Sequence, residues 1–315
     1  MTSFHRLENN DIAITISSLG ATLVSFIDKK TGRDIVTGFD SVEGYLANAG
    51  CYMGAMVGRC ANRIGGGQFV LDGIVYHVPI NNITNCLHGG KKGLSFVEYD
   101  VKELKDEIIL SYLSEDNEEG FPGKLEFVVS YQLKGREVHL VFKGLSDKDT
   151  VFNITNHSYF NLSAADDTVA NHHLEIPTVL MSYTDNTGLT YEKMDDISNT
   201  YYDFSKRRRI GESIKEVAID NNYHFGSFKE KLMARLDCDG LCLEVYSDLP
   251  DMHVYPANHF DNIKGKSGKT YNSNAAIALE AQYYPNAINY RSYPQPILRE
   301  GVEQKHEIIW KLRDC

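Results

Sequence analysis

Short runs rich in Val, Ile, Thr, Tyr and Phe, broken every few residues by Gly, Asn or Asp, recur along almost the whole of this 315-residue chain. Branched and aromatic side chains suit a half-buried pleated surface, while Gly, Asn and Asp accept the backbone angles of tight turns. Segments 11–17, 22–27, 68–71, 75–78, 97–104, 108–113, 125–133, 137–144, 173–176, 242–246 and 307–312 all read as strands of ordinary length. Leu71-Asp72-Gly73-Ile74 and Phe121-Pro122-Gly123-Lys124 carry hairpin chemistry. Long amphipathic helices are nearly absent. A short helix is expected around 209–218, and 228–234 reads as the continuation of a strand region. With no internal repeat, low-complexity tract or Pro/Ser-rich linker, the pattern predicts an all-β fold, a large antiparallel sandwich forming a single domain over 1–315.

Charge and composition remove several function classes. The formal net charge is -11, and the one basic run, Lys206 to Arg209, is too short to track a phosphate backbone, so nucleic acid is not an expected partner. No apolar stretch approaches the roughly 20 residues of a membrane-spanning helix, and the first residues lack the basic and apolar regions of a signal peptide, so no membrane partner and a cytoplasmic location are expected. Six cysteines, at 51, 60, 86, 238, 242 and 315, fit reduced and mostly buried thiols better than a disulfide framework. Cys238 and Cys242 have no second Cys/His pair at zinc spacing, and His172 and His173 point to opposite sides of any strand, so no metal site is expected.

Two segments place ionisable groups where a strand seldom has them. Split by the two-residue period, 151–162 (VFNITNHSYFNL) puts Val151, Asn153, Thr155, His157, Tyr159 and Asn161 on one face. That row is either a water-facing surface or the floor of a cleft, and only a cleft has use for an imidazole titrating near neutral pH. In 274–285 (NAAIALEAQYYP), Glu280 shares a face with Ala276, Ala278, Gln282 and Tyr284. Glutamate is disfavoured inside strands and rarely buried alone, so it marks either a structural ion pair, an edge strand or a site.

A third region, 54–90, holds Arg59, Asn62 and Arg63, and His88 before two glycines. Gly65-Gly66-Gly67 opens a strand pattern instead of a helix and lacks a following Lys-Ser/Thr, which makes a phosphate-cradling loop a weak reading. Arginine offers a planar fork of donors, and glycine lets backbone approach a ligand. Arg63 pairing a carboxylate and His88 serving as a turn residue are the plain alternatives.

GRCANRI (58–64), NCLHGG (85–90), DNEEGFPG (116–123), TNHSYFNL (155–162), LEAQYYPNAIN (279–289) and the closing ILREGVEQ together resemble the aldose 1-epimerase (galactose mutarotase) family, in order and spacing over nearly the whole chain. The resemblance implies a β-supersandwich with a sugar cleft on the concave side of a sheet. It implies His157 as general acid and Glu280 as general base, with Asn62, Arg63 and His88 holding the sugar. Interconverting anomers needs a proton taken from the O1 hydroxyl and one delivered to the ring oxygen; the ring opens, C1–C2 rotates, and both transfers reverse. No nucleophile, metal or redox cofactor is required. A protonated His157 and an ionised Glu280 are expected at the outset, each favoured by the other's charge.

Two departures fall at sugar-binding positions. Tyr223, in Asn221-Asn222-Tyr223-His224-Phe225, stands where the family usually shows an aspartate, and Asp220 would replace it only if the loop were rearranged. His253 stands where the family more often has glutamine. Tyr159, Tyr255 and Tyr283 are candidates for apolar faces against a sugar ring, Tyr159 foremost because it shares the face of His157. The expected partner is a free monosaccharide of the galactose or glucose type, handled by a monomer or homodimer. The alternatives are a hexose-6-phosphate 1-epimerase using Arg59, Arg63 and Lys91-Lys92, a non-catalytic sugar-binding module, and a glycosidase using Asp248 or Asp251 as a second acid.

Overall fold

A computed structural model describes residues 2–165 and 167–315. Three antiparallel sheets carry most of the strand residues. The largest has nine strands in the spatial order Asp100–Glu103, Glu107–Ser114, Leu125–Lys134, Glu137–Ser146, Gln304–Asp314, Leu241–Ser247, Lys231–Cys238, His173–Glu175 and Arg208–Arg209. The second runs Tyr159–Phe160, Ile277–Gln282, Asp251–Tyr255, Asn221–His224, Leu180–Ser182 and Asp195–Asp196. A four-stranded N-terminal sheet, Phe4–Glu8, Ile12–Ser17, Thr22–Asp28 and Arg33–Asp34, contributes to the same core.

The alternation seen in the sequence is realised as burial. In Leu125–Lys134 every second residue is buried, as a sheet with one face on a core requires. The central strand of the second sheet, Ile277–Gln282, is buried on both faces. Ile277, Leu279 and Ala281 join the core shared with the nine-stranded sheet, where Phe160 meets Trp310 edge-on at 5.7 Å between ring centroids. Glu280 projects from the opposite face, which is therefore covered by something other than the main core.

The Leu71-Asp72-Gly73-Ile74 hairpin forms as expected, with φ of 49° at Asp72 and 81° at Gly73, the pair of positive angles a tight two-residue turn needs. Phe121 to Lys124 instead ends the longer connection 115–124, with the Gly123 N–H donating to Asp116 Oδ1. Only Ile210–Ser213 of the expected 209–218 segment is α-helical, and the helix Val42–Ala47 was unforeseen; too short to show a full apolar period, it left no pattern. No described helix is long and apolar enough to cross a membrane.

Segment 151–162 is not one strand. Thr150–Val151, Thr155–Asn156 and Tyr159–Phe160 pair with three different partners, Ile297–Leu298, Met56–Val57 and Ile277–Gln282, so the chain turns between pairings and its odd-numbered side chains do not share one face. Asn153 donates to Ala61 O and accepts from the Tyr283 N–H, and Asn161 donates to Ala275 O. His157 and Tyr159 alone of that row reach the cleft described next.

Candidate active site

A cleft of about 380 Å³ opens on the polar face of the six-stranded sheet, within the range that buries small ligands. Glu280 and His253 are direct cross-strand partners on Ile277–Gln282 and Asp251–Tyr255, and His253 in turn faces Asn222. His157 arrives from the adjoining loop, its N–H bonded to Ala55 O and its carbonyl accepting from Gly54 N. This puts His157 Nε2 3.7 Å from Glu280 Oε1, with both side chains almost fully buried. Tyr159 stacks against the His157 ring at 4.8 Å, Tyr52 lies nearly parallel to it at 6.2 Å, and Phe260 packs on Tyr159 at 5.0 Å.

Asn62 and His88, both at positive φ (61° and 52°), clasp each other: the His88 N–H donates to Asn62 O, and the Asn62 N–H donates to His88 Nδ1. The backbone comes close enough here that a Cβ on Gly89 would sit 1.8 Å from Gly58 O, so only glycine fits. A backbone N–H can only donate, so Nδ1 of His88 is the acceptor and Nε2 of the neutral ring carries the proton. Arg63 is aimed by its Nε donating to Asn82 Oδ1 at 3.1 Å. Asp220, just before the strand Asn221–His224, receives a 2.6 Å hydrogen bond from His253 Nε2.

Burial dominates the electrostatics. It pushes His157 down to about 3, with nearby His253 adding to the shift. It holds Glu280 well above the usual carboxylate range, reinforced by the Asp220 carboxylate and opposed by Arg63. His88 is likewise kept neutral, by burial first and then by His157 and Arg63. At Asp220 burial is the largest influence and acts upward, but the His253 hydrogen bond together with the charges of His253, Arg63 and His259 outweighs it, and the carboxyl lies below its usual range. The charged pair expected from mutual attraction is therefore disfavoured without a ligand, because desolvation of two ions exceeds their attraction. Neutral His157 with protonated Glu280 holds the same single proton, so one proton transfer converts it to the ion pair with no change in net charge.

His88, His157 and Glu280 bring one donor atom each within 4.8 Å of one another. A cation taking His88 as ligand would have to displace the Asn62 N–H from Nδ1 or strip the proton from Nε2. The donor set is arranged for hydrogen bonding.

Residues 3–311 match the family model described as aldose 1-epimerase. The chain belongs to the aldose 1-epimerase family. It is 35% identical to galactose mutarotase of Bos taurus, over 97% of this chain and 92% of that protein, and 27% identical to aldose 1-epimerase of Escherichia coli K12, over 94% and 91%. Among solved structures, an aldose epimerase homologue from C. elegans superposes with a TM-score of 0.94 at 28% identity, covering 100% of this chain and 99% of that one. The β-supersandwich implied by the motifs is thereby shown.

Of the residues singled out in this aldose 1-epimerase chain, Asn62, Arg63, His88, His157, Tyr159, His253 and Glu280 all line the cleft. Tyr223 does not, and its assignment to the sugar is corrected: it pairs with Met252 on the core face of its strand, is fully buried, and its hydroxyl donates to Tyr202 O. The carboxylate that lines the cleft beside Glu280 is Asp220, two residues before Asn222 and just outside the strand. Counting back from Asn222 by twos would have found it. Tyr283 is also turned away, with its ring near Phe228 and His306 and its hydroxyl accepting from Gln304, whereas Tyr255 lines the cleft. Cys51, Tyr52, Asn82, Leu87, His259 and Phe260, also lining it, sit on loops or on elements of only two or three residues, where no periodicity announced them.

Proposed function

We propose that this chain interconverts the α and β anomers of a free aldose of the galactose or glucose type, with His157 and Glu280 as the acid–base pair. The observation that carries this is the 3.7 Å approach of His157 Nε2 to Glu280 Oε1 in the cleft. O1 and the ring oxygen of a pyranose are bonded to the same carbon, so two groups acting on both must lie within a few ångströms of each other. Sugar binding supplies a hydroxyl donor to Glu280 and an oxygen acceptor to the His157 proton, favouring the ion pair that burial alone disfavours. Glu280 then takes the O1 proton while His157 protonates the ring oxygen, and the reverse transfers close the ring on its other face. Arg63 and the Nε2–H of His88 supply donors for sugar oxygens, Asp220 accepts from a hydroxyl, and Tyr159 and Tyr52 offer flat apolar surface.

The sugar-phosphate alternative loses its cations. Arg59 is buried and spends its guanidinium on the carbonyls of Ser114, Glu115, Pro122 and Gly123, and Lys91 and Lys92 are not in the cleft lining, which leaves Arg63 beside Asp220 and Glu280. The glycosidase alternative loses its second acids, since Asp248 pairs with His306 and Asp251 with His224. We further propose that the protein acts as a monomer or homodimer on a free monosaccharide, without cofactor, nucleic acid or membrane. All six cysteines are free thiols, in keeping with a reducing, cytoplasmic setting. The test is NMR exchange spectroscopy of galactose and glucose anomers at equilibrium. Catalytic amounts of protein should raise the exchange rate well above buffer, and an unchanged rate with sugar bound would make this a sugar-binding module instead.

A further inference from the structure

We infer that His253 is a positioning residue: its imidazole is committed to Asp220, and its effect on the sugar passes through that carboxylate. This deepens the mutarotase reading and rests on it for its substrate. The geometry begins with Asp220, which follows the irregular stretch 217–219 and has no strand of its own to fix it. His253, by contrast, sits within Asp251–Tyr255, held between Asn222 on one side and Glu280 on the other. The 2.6 Å bond from His253 Nε2 to Asp220 Oδ1 therefore ties a loop carboxylate to the same rigid strands that carry Glu280.

An ionised carboxylate only accepts, so Nε2 must carry the hydrogen. The other ring nitrogen, Nδ1, is buried without a partner among the described residues, so the bond to Asp220 is the one that fixes the ring. Exposure separates the two roles: the His253 side chain is 4% accessible and that of Asp220 is 30% accessible. A sugar hydroxyl can reach Asp220 Oδ2, while Oδ1 is taken by the ring.

The test is a cycle of substitutions on the full-length protein. Gln keeps a side-chain N–H donor at this position, and Met fills similar volume without one. H253M should raise KM for galactose about tenfold, the value of one charge-assisted hydrogen bond, with kcat within about threefold, and H253Q should bring KM back to within about threefold of the parent. In a D220N background, where the acceptor charge is gone, H253M should change KM by less than about twofold. Equal KM factors for H253M in both backgrounds would mean direct sugar contact and overturn the inference, as would no effect in either. A readout independent of turnover is carbon-detected NMR titration of Asp220. Its carboxyl should titrate at higher pH in H253M than in the parent or H253Q, and an unchanged titration would overturn the inference even if anomer exchange proved absent.

Discussion

The two faces of the six-stranded sheet are made from the same strands and are equally dry, yet they differ in kind. On one, Tyr223, Met252, Val254, Leu279 and Ala281 pack into the main core, and the single polar group among these side chains, the Tyr223 hydroxyl, has its partner. On the other, one residue along each strand, stand Asn222, His253, Glu280 and Gln282, where Glu280 Oε2 and both polar atoms of the Gln282 amide are buried without a partner among the described residues. Leaving such atoms unmade costs roughly 1–3 kcal/mol each, a penalty a fold accepts where water or a ligand completes them. Unmet hydrogen-bonding capacity, and not burial, therefore distinguishes the working face.

The sharpest way to break this contrast is on the polar face. E280Q preserves shape and should lower kcat by about 10²–10⁴-fold while KM stays within about threefold, measured by anomer exchange. Near-parent turnover would remove Glu280 from the chemistry. Next in size, glucose 6-phosphate should show kcat/KM at least about tenfold below glucose, because its dianion meets Asp220 and Glu280 with Arg63 alone to offset them; equal values would restore the sugar-phosphate alternative.

The same glutamate should cost stability. A group whose folded pKa is raised contributes fully below its unfolded value, near 4.5, and loses that contribution as pH rises through the folded pKa. E280Q does not titrate, so by scanning calorimetry its Tm should match the parent near pH 4.5 and exceed it by about 2–4 °C near pH 7.5. A parent more stable than E280Q at the higher pH would contradict the direction given for Glu280. Smallest is the effect on the core face: Y223F should leave KM unchanged and lower stability by about 1 kcal/mol, the worth of the lost bond to Tyr202 O. A raised KM would put Tyr223 back in the cleft.

Most of the strands were legible because alternation of apolar and polar residues is a direct image of a sheet with one covered face. Glu280 was legible for a different reason, as a carboxylate in an otherwise apolar strand. Tyr223 was misassigned because its role was taken from motif position, where a count by twos would have put Asp220, Asn222 and His224 on one side and Asn221 and Tyr223 on the other. The loop-borne wall of Tyr52, His259 and Phe260 left no trace, since its placement depends on contacts between distant segments such as the packing of Phe260 on Tyr159.

The central claim is that one sugar lies between His157 and Glu280, and a crystal structure with galactose bound tests it most directly. The account predicts the O1 hydroxyl within about 3 Å of a Glu280 carboxylate oxygen and the ring oxygen within about 3 Å of His157 Nε2. A sugar bound elsewhere in the cleft, or with its anomeric carbon turned away from either side chain, would contradict it.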